Sequence, residues 1–124
     1  MYRFYNPNPV RSGVGDCAVR AIAKALGMTW ERAYTELSFN GFLMGDVMNS
    51  DTVWGALLRE HGFRRVVIPN SCPDCYTVAE FADDHPSGIY VVKSPNHVAT
   101  VVDGVLYDSW DSSEQTAIYY WTKG

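Results

Sequence analysis

Cys17 is well placed for nucleophilic chemistry. It follows a glycine-punctuated loop that ends in Asp16, and it opens a segment whose apolar residues recur with the spacing of one helical face. The residues on that face are Ala18, Ile22, Ala25 and Leu26. Cys17 is therefore predicted to begin a helix. The unpaired N–H groups and the positive end of the helix dipole favour a thiolate there, which lowers the pKa of a cysteine below its usual value of about 8.5.

A thiolate needs a partner that shuttles its proton, and a predicted hairpin supplies one. Asp103 and Gly104 separate two strand-like segments, which is a strong signal for a two-residue turn. The turn fixes the register of the two strands, so that His97 faces Trp110. Because alternate residues of a strand share a face, one side of this hairpin carries His97, Ala99, Val101, Leu106, Asp108 and Trp110.

In this register Asp108 is the diagonal neighbour of His97, about 7–8 Å away between backbones, within reach of an imidazole and a carboxylate. The other histidines gain no such partner: His61 ends a predicted helix, and His85 lies in a loop. A helix-start cysteine is also commonly a small buried residue. Together, however, Cys17, His97 and Asp108 predict a catalytic set.

The elements that must position these residues are helices first and an antiparallel sheet second, which is the α+β class. Residues 1–15 are rich in proline, glycine and asparagine and predict no regular structure. Helices are predicted from Cys17 to Gly27, from Thr29 to about Leu37 and over 53–61, and residues 39–48 are predicted to be a loop. A strand over 63–68 and a short helix over 77–81 follow. Four further strands are predicted over 89–93, 96–102, 105–110 and 117–121. No linker divides the chain, so 1–124 is predicted to be one domain.

Composition narrows the range of partners and cellular locations expected for the chain. The net charge is −4, and no run of basic residues exceeds the pair Arg64-Arg65, so a nucleic-acid partner is not expected. The N-terminus lacks the apolar core of a signal peptide, and no segment of 18 apolar residues occurs, so a cytoplasmic protein with no membrane partner is expected. Three cysteines, an odd count, argue against a disulfide framework and fit a free thiol. No cofactor is expected.

Cys72 and Cys75 form a second candidate site, in the segment Cys-Pro-Asp-Cys. Two cysteines at this spacing are half of a zinc site, which would have to recruit His85 or His61 because a second pair is absent. The segment also resembles glutaredoxin motifs, although the strand and long helix that flank those motifs are not predicted here. A structural turn, a weak zinc site and a redox site remain open.

The order of these residues resembles that of papain-like cysteine peptidases: a Cys at the start of the first helix, a His on a strand of the later sheet, and Asn or Asp on the next strand. Asp108-Ser109-Trp110 is similar to the Asn-Ser-Trp segment of papain-type enzymes, with Asp in place of Asn. The Gly-Asp-Cys entry to the helix resembles that of the peptidases that process leader peptides in bacterial exporters.

Further segments resemble short uncharacterised proteins of bacteria and their phages that are assigned to this fold. They are Asn6-Pro7, 15–22, 76–78, 97–99 and 107–111. The resemblance covers most of the chain. It implies a papain-like domain with N-terminal helices and a C-terminal antiparallel sheet.

The resemblance also implies a thiol protease or amidase, in which Cys17, His97 and Asp108 form the triad that attacks a peptide or another amide or ester, a protein substrate included. Papain-like enzymes usually carry a Gln about six residues before the Cys to bind the oxyanion, and Arg11 stands there. The oxyanion candidates are therefore Arg11, Asn8 and Asn6 beside the Cys17 N–H, and Trp110 is expected to cover the His97–Asp108 pair. The alternative is a non-catalytic protein-binding module that keeps the fold.

Overall fold

The computed structural model describes residues 1–123; Gly124, the last residue of the predicted domain, lies outside them. Four helices and six strands are present in this range. In chain order they are β1 (Tyr2–Phe4), α1 (Cys17–Leu26), α2 (Trp30–Met44), α3 (Asp51–Glu60), β2 (Arg64–Val67), α4 (Val78–Asp84), β3 (Ile89–Ser94), β4 (His97–Val102), β5 (Val105–Asp108) and β6 (Tyr119–Thr122). The class is mixed α+β, as predicted.

Local chemistry sets most helix ends. Helix α1 ends where Gly27 adopts a left-handed conformation, with φ 64°. The side chains of Thr29, Ser50 and Thr77 accept N–H hydrogen bonds at the starts of α2, α3 and α4. At α4 the Glu80 carboxylate in turn accepts the Thr77 N–H, which completes the predicted capping box.

The predicted loop over residues 39–48 is wrong, because α2 continues to Met44. Gly41 lies within this helix and does not end it; its role is packing. A Cβ at Gly41 would lie 2.8 Å from the carbonyl oxygen of Asp46, so the chain after the helix folds back too closely for any side chain. The glycine is required by this contact between α2 and the segment that follows it.

The prediction that residues 1–15 have no regular structure is also wrong for the first residues of this segment. Strand β1 pairs in parallel with β5, with Tyr2 opposite Leu106 and Phe4 opposite Asp108. Three residues are too few to show a periodic pattern, and their partner lies about a hundred residues away. The sheet order is β1-β5-β4-β3-β6-β2, so the sheet is antiparallel except at this edge. The helix-then-sheet order is likewise only approximate, since α4 falls between β2 and β3.

Two apolar clusters lie on the sheet. One unites α1, α2 and α3 with Val91, Val98 and Trp121. The other packs α4 against Val92, Ala99, Val101 and Leu106. Within residues 1–123 no helix has the length and apolar character needed to cross a membrane.

The predicted hairpin register is confirmed over three pairs, Val102 with Val105, Val101 with Leu106 and Thr100 with Tyr107. Asp103 and Gly104 both have positive φ, 50° and 77°, as this turn requires. The outer pairs do not form: β5 ends at Asp108, and Asp108 pairs with Phe4 of β1 and not with Ala99. His97 and Asp108 therefore lie at strand ends.

Cys72 and Cys75 form a disulfide, so the argument from an odd cysteine count against disulfides is wrong for this pair. The odd number of cysteines also predicted a free thiol, and that thiol belongs to Cys17. Local hydrogen bonds shape the same loop: Ser71 Oγ donates to the Asp74 carbonyl, and the Cys72 N–H donates to the Asn70 side chain. These contacts fit a structural turn.

Removing this disulfide is expected to cost little. It closes a loop of only about four residues, for which the loss of unfolded-state entropy corresponds to about 2 kcal/mol. We expect the double variant Cys72→Ser, Cys75→Ser to lose no more than that in urea unfolding, and to keep its Cys17 reactivity. A cost well above about 4 kcal/mol, or stoichiometric zinc in the reduced protein, would contradict a simple turn.

Candidate active site

Cys17 is the first residue of α1 and is a half-buried free thiol. The His97 ring and the Val98 N–H at the start of β4 lie beside its sulfur, close enough to lower the pKa of the thiol. Asp16 precedes the helix, but its side chain does not cap it. Within residues 1–123 the N–H groups of Cys17, Ala18 and Val19 consequently have no acceptor, as is usual for a helix start without a side-chain cap.

His97 connects the sulfur to a carboxylate. Its Nε2 lies 2.6 Å from Asp108 Oδ2, so Nδ1 is the ring nitrogen left for Cys17. The Trp110 ring lies against the imidazole, with ring centroids 4.7 Å apart. The structure thus brings together the predicted Cys17, His97 and Asp108, and places Trp110 against the His97 ring although the predicted strand pairing of Trp110 is absent.

Asp108 is fully buried and is held by more than His97. Ser112 Oγ donates to it at 2.6 Å, and the Ser109 N–H at 2.8 Å. The guanidinium of Arg20 contacts Asp108 Oδ1, the oxygen that His97 does not contact, with Nη2 at 3.0 Å and Nε at 3.1 Å. Burial alone would raise the pKa of Asp108, but the hydrogen bonds from His97 and Ser112 and the charges of His97 and Arg20 outweigh burial and lower it. The carboxylate therefore stays ionised.

Arg20 belongs to the site, although the sequence argument omitted it. Its side chain is 6% exposed and lies between two carboxylates, Asp108 and Asp16, with Nη1 2.6 Å from Asp16 Oδ1. The Trp30 indole donates to the second oxygen of Asp16 at 2.9 Å. This buried ion network joins α1, α2 and β5.

A sequence signal for Arg20 existed. It is a charge within a run of small apolar residues on a helix, where an arginine must be paired. The nearby partner, Asp16 at i−4, was readable. The distant one was not, because 88 residues separate Arg20 from Asp108. Ser112 carried no comparable signal.

The electrostatics favour a charged pair between Cys17 and His97. Burial raises the pKa of Cys17, but the hydrogen bond and charge of His97, the Val98 N–H and the charge of Arg20 together lower it below its ordinary value. Burial lowers the pKa of His97, but its hydrogen bonds and attraction to Asp108 and Cys17 raise it to about 9. Thiolate and imidazolium each stabilise the other.

Two cavities open beside Cys17. One, of about 230 Å³, lies toward Trp54 and Lys93, and the other, of about 350 Å³, lies toward Ser109 and Trp110. Cys17, His97 and Asn96 line both cavities. Asn96 is exposed in the turn before β4, and the sequence argument did not name it. Substrate could thus reach the sulfur from either side of the His97 ring.

The three oxyanion candidates lie on the segment before α1. Arg11 and Asn8 line a neighbouring larger cavity rather than the two that Cys17 lines. The Asn8 side-chain oxygen accepts the N–H groups of Val10 and Arg11, and that of Asn6 accepts the Asn8 N–H. Both asparagines therefore shape the local turn.

A metal site finds no support in the described part of the chain. Across residues 1–123 no three His, Cys, Asp or Glu side chains cluster closely enough to hold a metal ion. His85, which zinc would have recruited, stacks on Phe81 at 3.9 Å between centroids and hydrogen-bonds the carbonyl of that residue. Its ring is thus already engaged in the aromatic cluster beneath α4.

Comparison of the chain with models of protein families, with curated proteins and with solved structures gives no match. Function must therefore be inferred from the side chains themselves.

Proposed function

We propose that the chain is a papain-like cysteine hydrolase, a peptidase or amidase that acts through Cys17, His97 and Asp108 and an acyl-enzyme intermediate. The observation that carries the proposal is the continuous contact from the Cys17 sulfur through the His97 ring to the buried Asp108 carboxylate. A purely structural cysteine needs neither a charged imidazole nor a carboxylate behind it.

The geometry supports a two-step reaction. The Cys17 thiolate attacks the carbonyl carbon and forms a C–S bond, and His97 gives its proton to the leaving nitrogen or oxygen as the C–N or C–O bond breaks. His97 then takes a proton from water, which attacks the thioester and releases the acid and the thiolate. Asp108 keeps the ring oriented, because Arg20, Ser112 and the Ser109 N–H fix it from the other sides.

The oxyanion formed in each step needs donors. The N–H of Cys17 has no acceptor within the described chain and belongs to the attacking residue itself, which makes it the first donor. Asn96 lines both cavities at the sulfur. We therefore add the side-chain amide of Asn96 to Arg11, Asn8 and Asn6, the candidates predicted from the sequence to donate hydrogen bonds to the oxyanion.

A papain-like fold is part of the proposal. The start of α1 at the cysteine, the position of His97 at the start of β4 and that of Asp108 at the end of the adjacent β5 agree with the arrangement that the resemblance implies. The parallel strand β1 and the buried Arg20 are features that the resemblance did not imply.

A non-catalytic binding module is the second candidate. It is favoured by the exposed apolar side chains at the end of α2, where Phe39, Phe42 and Leu43 are 60%, 81% and 64% exposed. Such a cluster is typical of an interaction site. It does not account for the His97–Asp108 pair behind Cys17.

The test is acyl labelling. We expect a p-nitrophenyl ester of an N-acetylated peptide to release one equivalent of p-nitrophenol in a burst and to leave an acyl group on Cys17, detected by mass spectrometry of the intact protein. A binding module would show no burst, and the label would be absent or spread over lysines.

The pKa shifts predict a pH window for hydrolysis. The thiolate–imidazolium pair forms as the pH rises through the lowered pKa of Cys17, and it is lost as His97 deprotonates near pH 9. Above that pH the leaving group loses its proton donor, so amide hydrolysis should fall. Thiolate alkylation should not fall there, since it needs no proton. Amide hydrolysis that keeps rising above pH 10 would contradict this assignment.

A further inference from the structure

A cavity of about 270 Å³ lies between helix α3 and the sheet, and neither Cys17 nor His97 lines it. On the helix its wall is formed by Gly55 and Ala56, with Arg59 one turn further along. On the sheet the lining residues are Arg65 of β2 and Tyr119 and Trp121 of β6. The volume lies just below the range of sites for drug-sized ligands, so the cavity has room for a compact small molecule.

Small residues on α3 leave this space open. A Cβ at Gly55 would lie 2.9 Å from Cζ2 of Trp121, so only glycine lets the indole pack against the helix here. In the sheet Arg65 is paired with Trp121, and Tyr119 is paired with Val67. Because alternate residues of a strand share a face, Arg65 and both aromatic rings lie on the side of the sheet that α3 covers.

Two guanidinium groups of the lining have no acidic partner. The Cζ atom of Arg59 lies 5.2 Å from the centroid of the Trp121 ring, and that of Arg65 lies 4.6 Å from the centroid of the Tyr119 ring. Neither arginine forms an ion pair within residues 1–123. The rings thus hold two cations beside one cavity, and no carboxylate takes up their N–H donors.

Asp51 also lines this cavity, but its carboxylate is already engaged. Oδ1 accepts the Trp54 indole N–H at 3.1 Å, and Oδ2 lies 3.9 Å from Lys93 Nζ. Asp51 begins α3 and Arg59 lies in its last turn, about 12 Å away along the helix. Lys93 therefore balances Asp51, and the charges of Arg59 and Arg65 remain uncompensated.

The indole N–H of Trp121 adds positive potential at the wall of the cavity. Trp121 is 4% exposed, and its Nε1 is buried without a hydrogen-bond partner within residues 1–123. Cε2, the atom bonded to Nε1, lies 3.7 Å from the position that a Cβ of Gly55 would take. The N–H therefore lies close to the part of α3 that lines the cavity. A buried donor without an acceptor costs free energy, and an anion nearby would reduce this cost.

We propose that this cavity binds a phosphate monoester of a compact small molecule. A phosphate dianion matches the two uncompensated guanidinium groups in charge, and its oxygens can accept N–H groups from both arginines. The wall formed by Gly55, Ala56 and the aromatic rings leaves room for a short apolar group on the ester oxygen. A carboxylate carries one charge fewer and matches the cavity less well. This binding site takes no part in the acyl transfer proposed for Cys17.

Phenyl phosphate is a suitable probe. At low ionic strength, where screening is weak, it should shift the NMR resonance of the Trp121 indole N–H and saturate with a Kd of about 1 mM or lower, as two charged hydrogen bonds imply. Benzoate should bind more weakly because it is a monoanion. Inorganic phosphate should also bind more weakly, because it leaves the apolar wall uncovered. Absence of saturation by phenyl phosphate, or equal binding of either control, would overturn the proposal.

Arg59→Gln and Arg65→Gln should each raise the Kd for phenyl phosphate at least about tenfold. Both side chains are exposed, so the fold should be retained, which circular dichroism verifies. The matched control is Arg64→Gln, because Arg64 precedes Arg65 on β2, is also exposed and does not line this cavity. It removes the same charge and should leave the Kd nearly unchanged. Equal losses in all three variants would mean that the phosphate responds only to the net charge of the surface, and would overturn the site.

The Cys17→Ala variant separates this site from the hydrolase. It should bind phenyl phosphate with an unchanged Kd, whether or not the unmodified protein hydrolyses any ester. The cavity shares Asp51 with one of the cavities at Cys17 but is not lined by Cys17 or His97. A Kd that rises in Cys17→Ala would place the anion at the thiol instead, and would overturn the proposal.

Discussion

Replacement of Cys17 by alanine is expected to lower hydrolysis on the order of 10⁶-fold, the loss seen when a nucleophile is removed from a catalytic set. Alanine is small and favours a helix, and Cys17 is only half-buried, so the fold should remain. Steady-state hydrolysis and circular dichroism measure the two effects. The matched control is the variant Cys72→Ser, Cys75→Ser, which removes the chain's other cysteines and should keep the activity.

His97→Ala should lose nearly as much, because nucleophile and base act as one unit and their losses do not add. Asp108→Asn should lose less, since an amide can still orient the ring. Asp108→Ala is the poorer choice, because it would also remove the oxygen that accepts the Arg20 guanidinium, which the amide of asparagine keeps. Cys17→Ala with more than a few per cent of the original activity would contradict a Cys17 nucleophile.

Arg20→Met is expected to destabilise the protein by about 3–5 kcal/mol, the cost of removing one member of a buried ion pair. Methionine fills much of the volume of the arginine stem. The loss would therefore come from Asp16, which would stay buried without a cation, and from Asp108, which would keep only the His97 imidazolium. Urea unfolding monitored by tryptophan fluorescence gives the free energy of unfolding.

The control for this variant is Arg32→Met. Arg32 also forms an i,i+4 ion pair, with Glu36, but its side chain is 67% exposed. Such a pair contributes about 0.3–0.5 kcal/mol. Equal losses for Arg20→Met and Arg32→Met would mean that the buried network contributes no more than a surface pair.

The parts of the fold that depend on neighbouring residues could be predicted from the sequence. The turn at Asp103 and Gly104 fixed the register of β4 and β5 because positive φ values are required there. The caps at Thr29 and Thr77 are likewise local. Strand β1 could not be predicted, since its three residues form a strand only because the edge of β5 is open to them.

The candidate site likewise has parts that the sequence could predict and parts that it could not. The hairpin register was sufficient to place His97 near Asp108, and the helix pattern was sufficient to place Cys17 at a helix start. The contact between the two halves depends on how α1 packs on the sheet, which no local pattern encodes. For the same reason the second partner of Arg20 and the position of Asn96 at the sulfur emerged only from the structure.

The central claim is that His97 holds Cys17 as a thiolate, and the pH dependence of alkylation tests it most directly. The rate at which iodoacetamide labels Cys17 should reach its half-maximum at a pH below the usual thiol pKa of about 8.5, because the pKa of this thiol is lowered, and His97→Ala should raise that midpoint. A rate that falls about tenfold per pH unit below 8.5 in the unmodified protein, as for an ordinary thiol, would contradict the claim.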